Sequence, residues 1–241
     1  MNWLTVNCKY EGIGSTSTTK LDMIIRILKF DGTHTSSVDS DTKELTSALS
    51  NLKLPISPNV WKNQDNRDVS VLILNELIPL YLTSCFGWNE EFPINSGRVD
   101  LVRMDHNTGG LNQAIEVELG NSARSDSDIL KLAVVGEQYQ NAKLVIAAPS
   151  RKLLSRWQDG TKSAEGICKS LTRLTPIVKH VERISIVALD LPAGEVQKNH
   201  IVDLSTLSGS PDLFRRTKGV KKSDRRKFIS LNRDKFTLSG W

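Results

Sequence analysis

The chain has 241 residues, of which 39% are hydrophobic and 24% charged, and its formal net charge is +5. This length and composition fit one sizeable globular core, and no apolar run reaches the roughly 20 residues that a bilayer-spanning helix needs. The opening MNWLTVNCKYEG lacks the basic-then-apolar pattern of a secretory leader, so a soluble, cytoplasmic protein with no membrane partner is expected.

Cys8, Cys85 and Cys168 are odd in number, widely separated and outside any CxxC pair, which argues against disulfides and structural zinc. Charge is unevenly placed. Between Arg215 and Lys235 ten basic residues stand against Asp224 and Asp234, a net +8 that leaves −3 on the remainder. Such a segment suits a polyanion partner, because each cation set on a phosphate releases condensed counterions. A solvated tail has the same composition.

In chain order, Leu21 to Phe30 carries Met23, Ile24, Ile27 and Leu28 at helical spacing, which predicts an N-terminal helix with loose flanks. Asp41 to Leu52 reads as a short second helix, broken by Pro55 and Pro58. Asn75 to Phe86 is apolar on most sides, a buried helix with Asn75 as N-cap and Pro79 near its first turn. After Trp88 and the acidic stretch Asn89-Glu90-Glu91, Arg98 to Met104 alternates as a strand. HNTGG at 106–110 makes a turn, and Ala114 to Leu119 alternates again, giving a β-hairpin.

Ser125 to Tyr139 opens with Ser and Asp and continues with an apolar stripe, predicting a helix on the sheet. Lys143 to Ala148 and Arg183 to Leu189 are continuous apolar runs, as in strands covered on both faces. The fold class expected is α/β, a mixed central sheet sandwiched by helices, in a single domain over 1–241. It carries N-terminal helical decoration to about residue 60 and a basic tail from about residue 213.

Strand alternation puts Glu116 and Glu118 on one face, about 7 Å apart. Asp100 sits on the partner strand and Glu91 enters from the loop before it. Carboxylates gathered this way repel and raise one another's pKa unless a cation joins them. Oxygen ligands without histidine or cysteine favour Mg²⁺ over zinc, and Mg²⁺ chemistry suits phosphodiester hydrolysis. Two other readings stay open: acids on an antiparallel hairpin that simply face solvent, and a glycosidase pair. Against the second stand the low aromatic content, 6%, and the basic tail. The four histidines form no HxxxH or HxE pattern, and GxSxG, P-loop and GxGxxG motifs are absent. Cys85, in an apolar helix, reads as core rather than nucleophile.

The segment from Glu76 to about Asp159 resembles the BamHI, BglII and BstYI group of type II restriction endonucleases, most clearly in GRVDLV at 97–102 and IEVELGNSARSDSDILKL at 115–132. The resemblance implies a PD-(D/E)xK nuclease core and Mg²⁺-dependent cleavage of double-stranded DNA at a short palindrome, with a GATC centre in the named members, leaving 5′-phosphates. It implies that Asp100, Glu116 and Glu118 hold metal, with Glu118 also a general base in the acidic form of the motif. Glu91, three residues after Trp88, is the further acid.

Gly120-Asn121 matches a pair that enters the major groove, so Asn121 is the base-reading candidate, with Ser122 and Arg124 weaker ones. Asn121 also fits a plain helix cap. Asp159-Gly160 stands where the group has an Asp-Arg pair, so the arginine is missing unless Arg156 supplies it. The resemblance further implies a homodimer, with the 125–139 helix at its interface, and a C-terminal basic run (Lys221, Lys222, Arg225, Arg226) that touches DNA. The alternatives are a structure-selective or repair nuclease on the same fold and a non-catalytic DNA-binding protein.

Overall fold

The computed structural model describes residues 5–8, 23–29, 40–56, 69–120, 124–156, 160–190, 198–209 and 220–241. Its strands are β1 (Thr5–Cys8), β2 (Met23–Lys29), β3 (Leu54–Ile56), β4 (Asn89–Ile94), β5 (Gly97–Met104), β6 (Leu111–Val117), β7 (Lys143–Pro149), β8 (Ile184–Asp190) and β9 (Ile201–Asp203). The α-helices are α1 (Ser40–Ser50), α2 (Val71–Phe86), α3 (Ser125–Gln138), α4 (Arg151–Leu154), α5 (Ala164–Leu174) and α6 (Lys222–Leu231).

Seven strands form one mixed sheet in the order β1-β2-β8-β7-β6-β5-β4, and β3 pairs with β9 separately. Strands β4, β5 and β6 are an antiparallel meander. Strands β6, β7, β8 and β2 run parallel to one another, and β1 pairs antiparallel with β2 at the far edge. Parallel strands have both faces covered, and accordingly every residue of β7 after Lys143 is buried, as are all but Ser185 in β8. One face packs Leu101, Ile115, Val145 and Val187 under α1, α2 and α6. The other packs Ala114, Ile146 and Ile186 under α3 and α5. The molecule is therefore α/β, with helices on both faces of a mixed sheet. Among the described residues no helix is long and apolar enough to cross a membrane.

Four expectations change. The helix expected at 21–30 is strand β2, paired with β8 from Ile25↔Ile186 to Lys29↔Asp190. A seven-residue stretch with five apolar residues, three of them isoleucine, satisfies either period, and the sheet decides between them. Helix α2 begins at Val71 rather than Asn75, because Ile73 and Leu74 are themselves core residues with no exposed surface. Pro79 thus lies inside the helix, where it removes a backbone hydrogen bond, and Gly87 ends the helix with φ 67, a left-handed conformation that glycine adopts without strain.

The acidic stretch after Trp88 is not a loop but edge strand β4, whose glutamates and Pro93 also discourage pairing with another chain. Finally, Cys168 is disulfide-bonded, whereas Cys85 is free and exposed.

The basic C-terminal segment is folded from Val220 onward. Phe228, Ile229 and Phe236 are at most 3% exposed and belong to the α2 face of the core. Phe236 accepts a bond from the Lys53 N–H (2.8 Å), and the Leu238 N–H donates to Asn51 (2.9 Å), tying the chain end to α1 and β3.

Candidate active site

The turn at 105–110 fixes how β5 meets β6. The Asp105 N–H donates to the Gly110 carbonyl (2.8 Å), and the register runs Leu101↔Ile115 and Val102↔Ala114. Carried one residue on, this register sets Asp100 opposite Glu116. Facing positions in an antiparallel pair have Cβ atoms about 5 Å apart. Asp100 Oδ2 accepts the Val117 N–H at 2.8 Å, so the carboxylate itself serves as a ladder acceptor where the strands part.

Glu116 is 1% exposed. Burial first, and the neighbouring Asp100 charge second, push its pKa up to about 9, against the opposing pull of Lys131. Asp100 is also raised, chiefly by burial, while the Val117 N–H works to lower it. Interaction with the Glu116 carboxyl also works to lower Asp100, as a protonated Glu116 facing the Asp100 carboxylate would.

Helix α3 lays Ile129, Leu132, Ala133, Val135 and Gly136 on the sheet, and this sets Lys131 over the ends of β5 and β6. Lys131 Nζ lies 2.7 Å from Glu116 Oε1 and 2.8 Å from Asp128 Oδ1, and it donates to the Arg98 carbonyl at 3.3 Å. Burial works to lower the pKa of this ammonium, but Asp128 and Glu116 outweigh it and hold the group above its ordinary value.

Asp100 also borders a cavity of about 210 Å³ that opens toward α2 and α6, lined by Asn75, Glu76, Glu90, Glu91 and Lys222 among others. Glu90↔Leu101 and Phe92↔Val99 are paired, so Glu91 lies across from Asp100. Its backbone is left-handed, φ 53, a conformation that costs a residue with a Cβ roughly 1–2 kcal/mol and here interrupts the ladder.

Behind the cavity, the buried Glu76 accepts from Arg226 Nε (2.9 Å) and lies 3.6 Å from Arg225. Arg226 also pairs with Glu90, and Lys222 approaches Glu90 and Glu91 at 3.9 and 3.8 Å.

Of the four acids expected to converge, Asp100 and Glu116 do. Glu91 shares the cavity with Asp100, but its side chain is 53% exposed and turned toward Lys222. Glu118 lies beyond the end of β6, buried, with its N–H on the Ala147 carbonyl of β7 (2.8 Å). Among the described residues no group of three or more acidic, histidine or cysteine side chains is gathered to hold a metal ion. The reason is local: β6 stops at Val117, so strand alternation no longer governs the direction of Glu118.

Of the residues expected to contact DNA, Arg124 is exposed at the start of α3, and Lys221 and Lys222 are exposed at the start of α6. Arg225 and Arg226 face Glu76 instead. Asn121, Ser122 and Asp159 lie outside the described residues. The reading of the sequence missed Lys131, Asp128 and the ion-pairing role of Glu76. Asp128 and Lys131 sit at i and i+3, a spacing that pairs charges along a helix and was the available signal. Compared with protein-family models and with curated proteins, the chain matches none.

Proposed function

We propose that the chain is a Mg²⁺-dependent endonuclease of double-stranded DNA, of the type II restriction kind, acting as a homodimer at a short palindrome. The observation that carries this reading is the facing pair Asp100 and Glu116, with Asp100 lining an open cavity. The succession of helix α2, meander β4-β5-β6, helix α3 and strand β7 parallel to β6 supports reading the core as PD-(D/E)xK. Lys222 lines the same cavity, and the exposed Lys221 and Lys227 add further cations along the α6 segment.

Mg²⁺ keeps several waters and takes only one or two carboxylates, so Asp100 and Glu116 fit it without a third acid. Bound there, it would supply charge neutralisation at a scissile phosphate and an acidified water. The residues themselves do the rest. Asp100 is fixed by the Val117 N–H, and Glu116 faces it in a setting that favours a proton, which Glu116 must release to become a ligand. Glu118, buried just past the end of β6, is the general base that the resemblance implies, although it does not converge with the pair.

Incubation of DNA of about 50 kilobases with protein and Mg²⁺, followed by sequencing of the ends, tests this; discrete ends carrying 5′-phosphates are expected. The lack of a three-acid group among the described residues favours one competing reading, a DNA-binding protein without catalysis. Intact DNA, together with no heat of Mg²⁺ binding at millimolar concentration, would establish that reading instead.

A further inference from the structure

The acid pair already has a cation beside it. Lys131 Nζ stands 2.7 Å from Glu116 Oε1, on a residue that is 1% exposed, while its other acceptors are Asp128 Oδ1 on its own helix and the Arg98 carbonyl on β5. The ammonium is thus ion-paired to two carboxylates and hydrogen-bonded to one carbonyl, and the Glu116 Oε1 that lies 2.7 Å from it is buried from water.

We infer that Lys131 is a resident counter-ion of the site: a divalent cation can reach Glu116 only by displacing the ammonium, which then stays on Asp128 and the Arg98 carbonyl. The inference rests on the metal-binding part of the proposed function. The move requires no backbone change. A four-carbon stem swings readily, and two of the three acceptors lie outside the Asp100–Glu116 pair. Lys131 is thus a positioning residue with two consequences of opposite sign. It lets two buried acids coexist before the dication arrives, and it weakens the dication's hold by competing for the same oxygen. The site then loads only where the divalent cation is abundant.

Calorimetric titration with Ca²⁺, which avoids turnover, tests this on the full-length protein. Lys131→Met is expected to bind Ca²⁺ more tightly than wild type by roughly ten-fold or more, the scale set by removing a unit charge a few ångströms from a dication. Lys131→Arg keeps the charge and is expected to stay close to wild type. A residue that merely braced the fold would weaken binding when lost.

Equal or weaker binding by Lys131→Met, with wild type binding measurably, overturns the inference and leaves the metal reading intact. If neither protein binds, the metal reading falls and this inference falls with it. Binding by Lys131→Met alone supports the inference in its strongest form. Should Lys131→Met fail to fold, the ¹⁵N-labelled lysine ammonium signals of wild type decide. The Lys131 signal must shift as Ca²⁺ is added, and a signal unmoved at calorimetric saturation overturns displacement.

Discussion

Glu116 faces Asp100 across β5 and β6 in a setting that favours its protonated form, since burial and the Asp100 charge push the Glu116 carboxyl up to about 9. A pair in that state is neutralised by half. It becomes a dianionic ligand set only when a stronger cation replaces the proton.

Substitution at Glu116 therefore separates chemistry from folding. Glu116→Gln keeps the size and a hydrogen-bond donor toward Asp100 but cannot become anionic. It should fold as well as wild type and lose Mg²⁺-dependent cleavage by about 100-fold or more, the scale of removing an electrostatic catalytic group. Supercoiled plasmid cleavage and a thermal melt on the same preparation check both halves. Cleavage at the wild-type rate would remove Glu116 from the site.

The same shift predicts how stability depends on pH. The folded-state pKa of Glu116 lies above its ordinary value of 4.5, so between that value and about 9 the native chain binds the extra proton. Stability from this group is then present at acid pH and falls as pH rises through that window. Asp100 is raised as well and contributes with the same sign. Urea unfolding of the metal-free protein from pH 5 to 9 should show a declining midpoint, and the decline should be clearly shallower in Glu116→Gln. A midpoint rising with pH in wild type but not in the variant would contradict the assignment.

The arginines of α6 make a different prediction. Glu76 is buried and Arg226 bridges it to Glu90, so Arg226→Ala leaves a buried carboxylate with only the longer Arg225 contact. A loss of about 2–4 kcal/mol is expected, at or below the usual cost of breaking a buried pair because the guanidinium is partly exposed. Lys222, half in solvent and near 4 Å from its partners, should contribute almost nothing to stability. Lys222→Ala should instead lower DNA affinity evenly across sequences and flatten the salt dependence by about one counterion. Denaturant melts and salt-series binding isotherms separate the two roles.

These contrasts mark what was legible in the sequence. The hairpin of β5 and β6 and helix α3 each carry one clear period, and β7 and β8 are short apolar runs of strand length, so the facing of Asp100 and Glu116 followed from the turn between β5 and β6. Strand β2 was ambiguous because its five apolar residues fit either period, and β4 was hidden because an edge strand is selected for charge and Pro93 rather than alternation. Around the basic run the charges masked Phe228, Ile229 and Phe236, whose burial depends on partners more than 100 residues away in α1 and α2. Lys131 was unreadable for a related reason. Its reach to Glu116 depends on where α3 lies over the sheet, and no local pattern encodes that placement.

The placement of α3 can itself be tested at Gly136. A helix interior ordinarily gains about 1 kcal/mol when glycine becomes alanine. Here a Cβ would stand 2.8 Å from His180 Cβ and 3.0 Å from Leu144 Cδ1, closer than packed carbons tolerate, and the first of these belongs to a side-chain root that cannot swing away. His180 is held further by its contact with Glu137 (2.6 Å), and Arg183 donates to the Gly136 carbonyl (3.0 Å), so the wall behind Gly136 is braced. Overpacking of this kind costs about 1–3 kcal/mol and outweighs the propensity gain. Gly136→Ala should therefore lower the urea midpoint rather than raise it. Because relief requires α3 to lift from β7, the variant should also loosen the Lys131 contact with Glu116, seen as faster exchange of the Lys131 ammonium protons than in wild type. A stabilised variant with unchanged exchange would mean that the helix is free to settle elsewhere on the sheet.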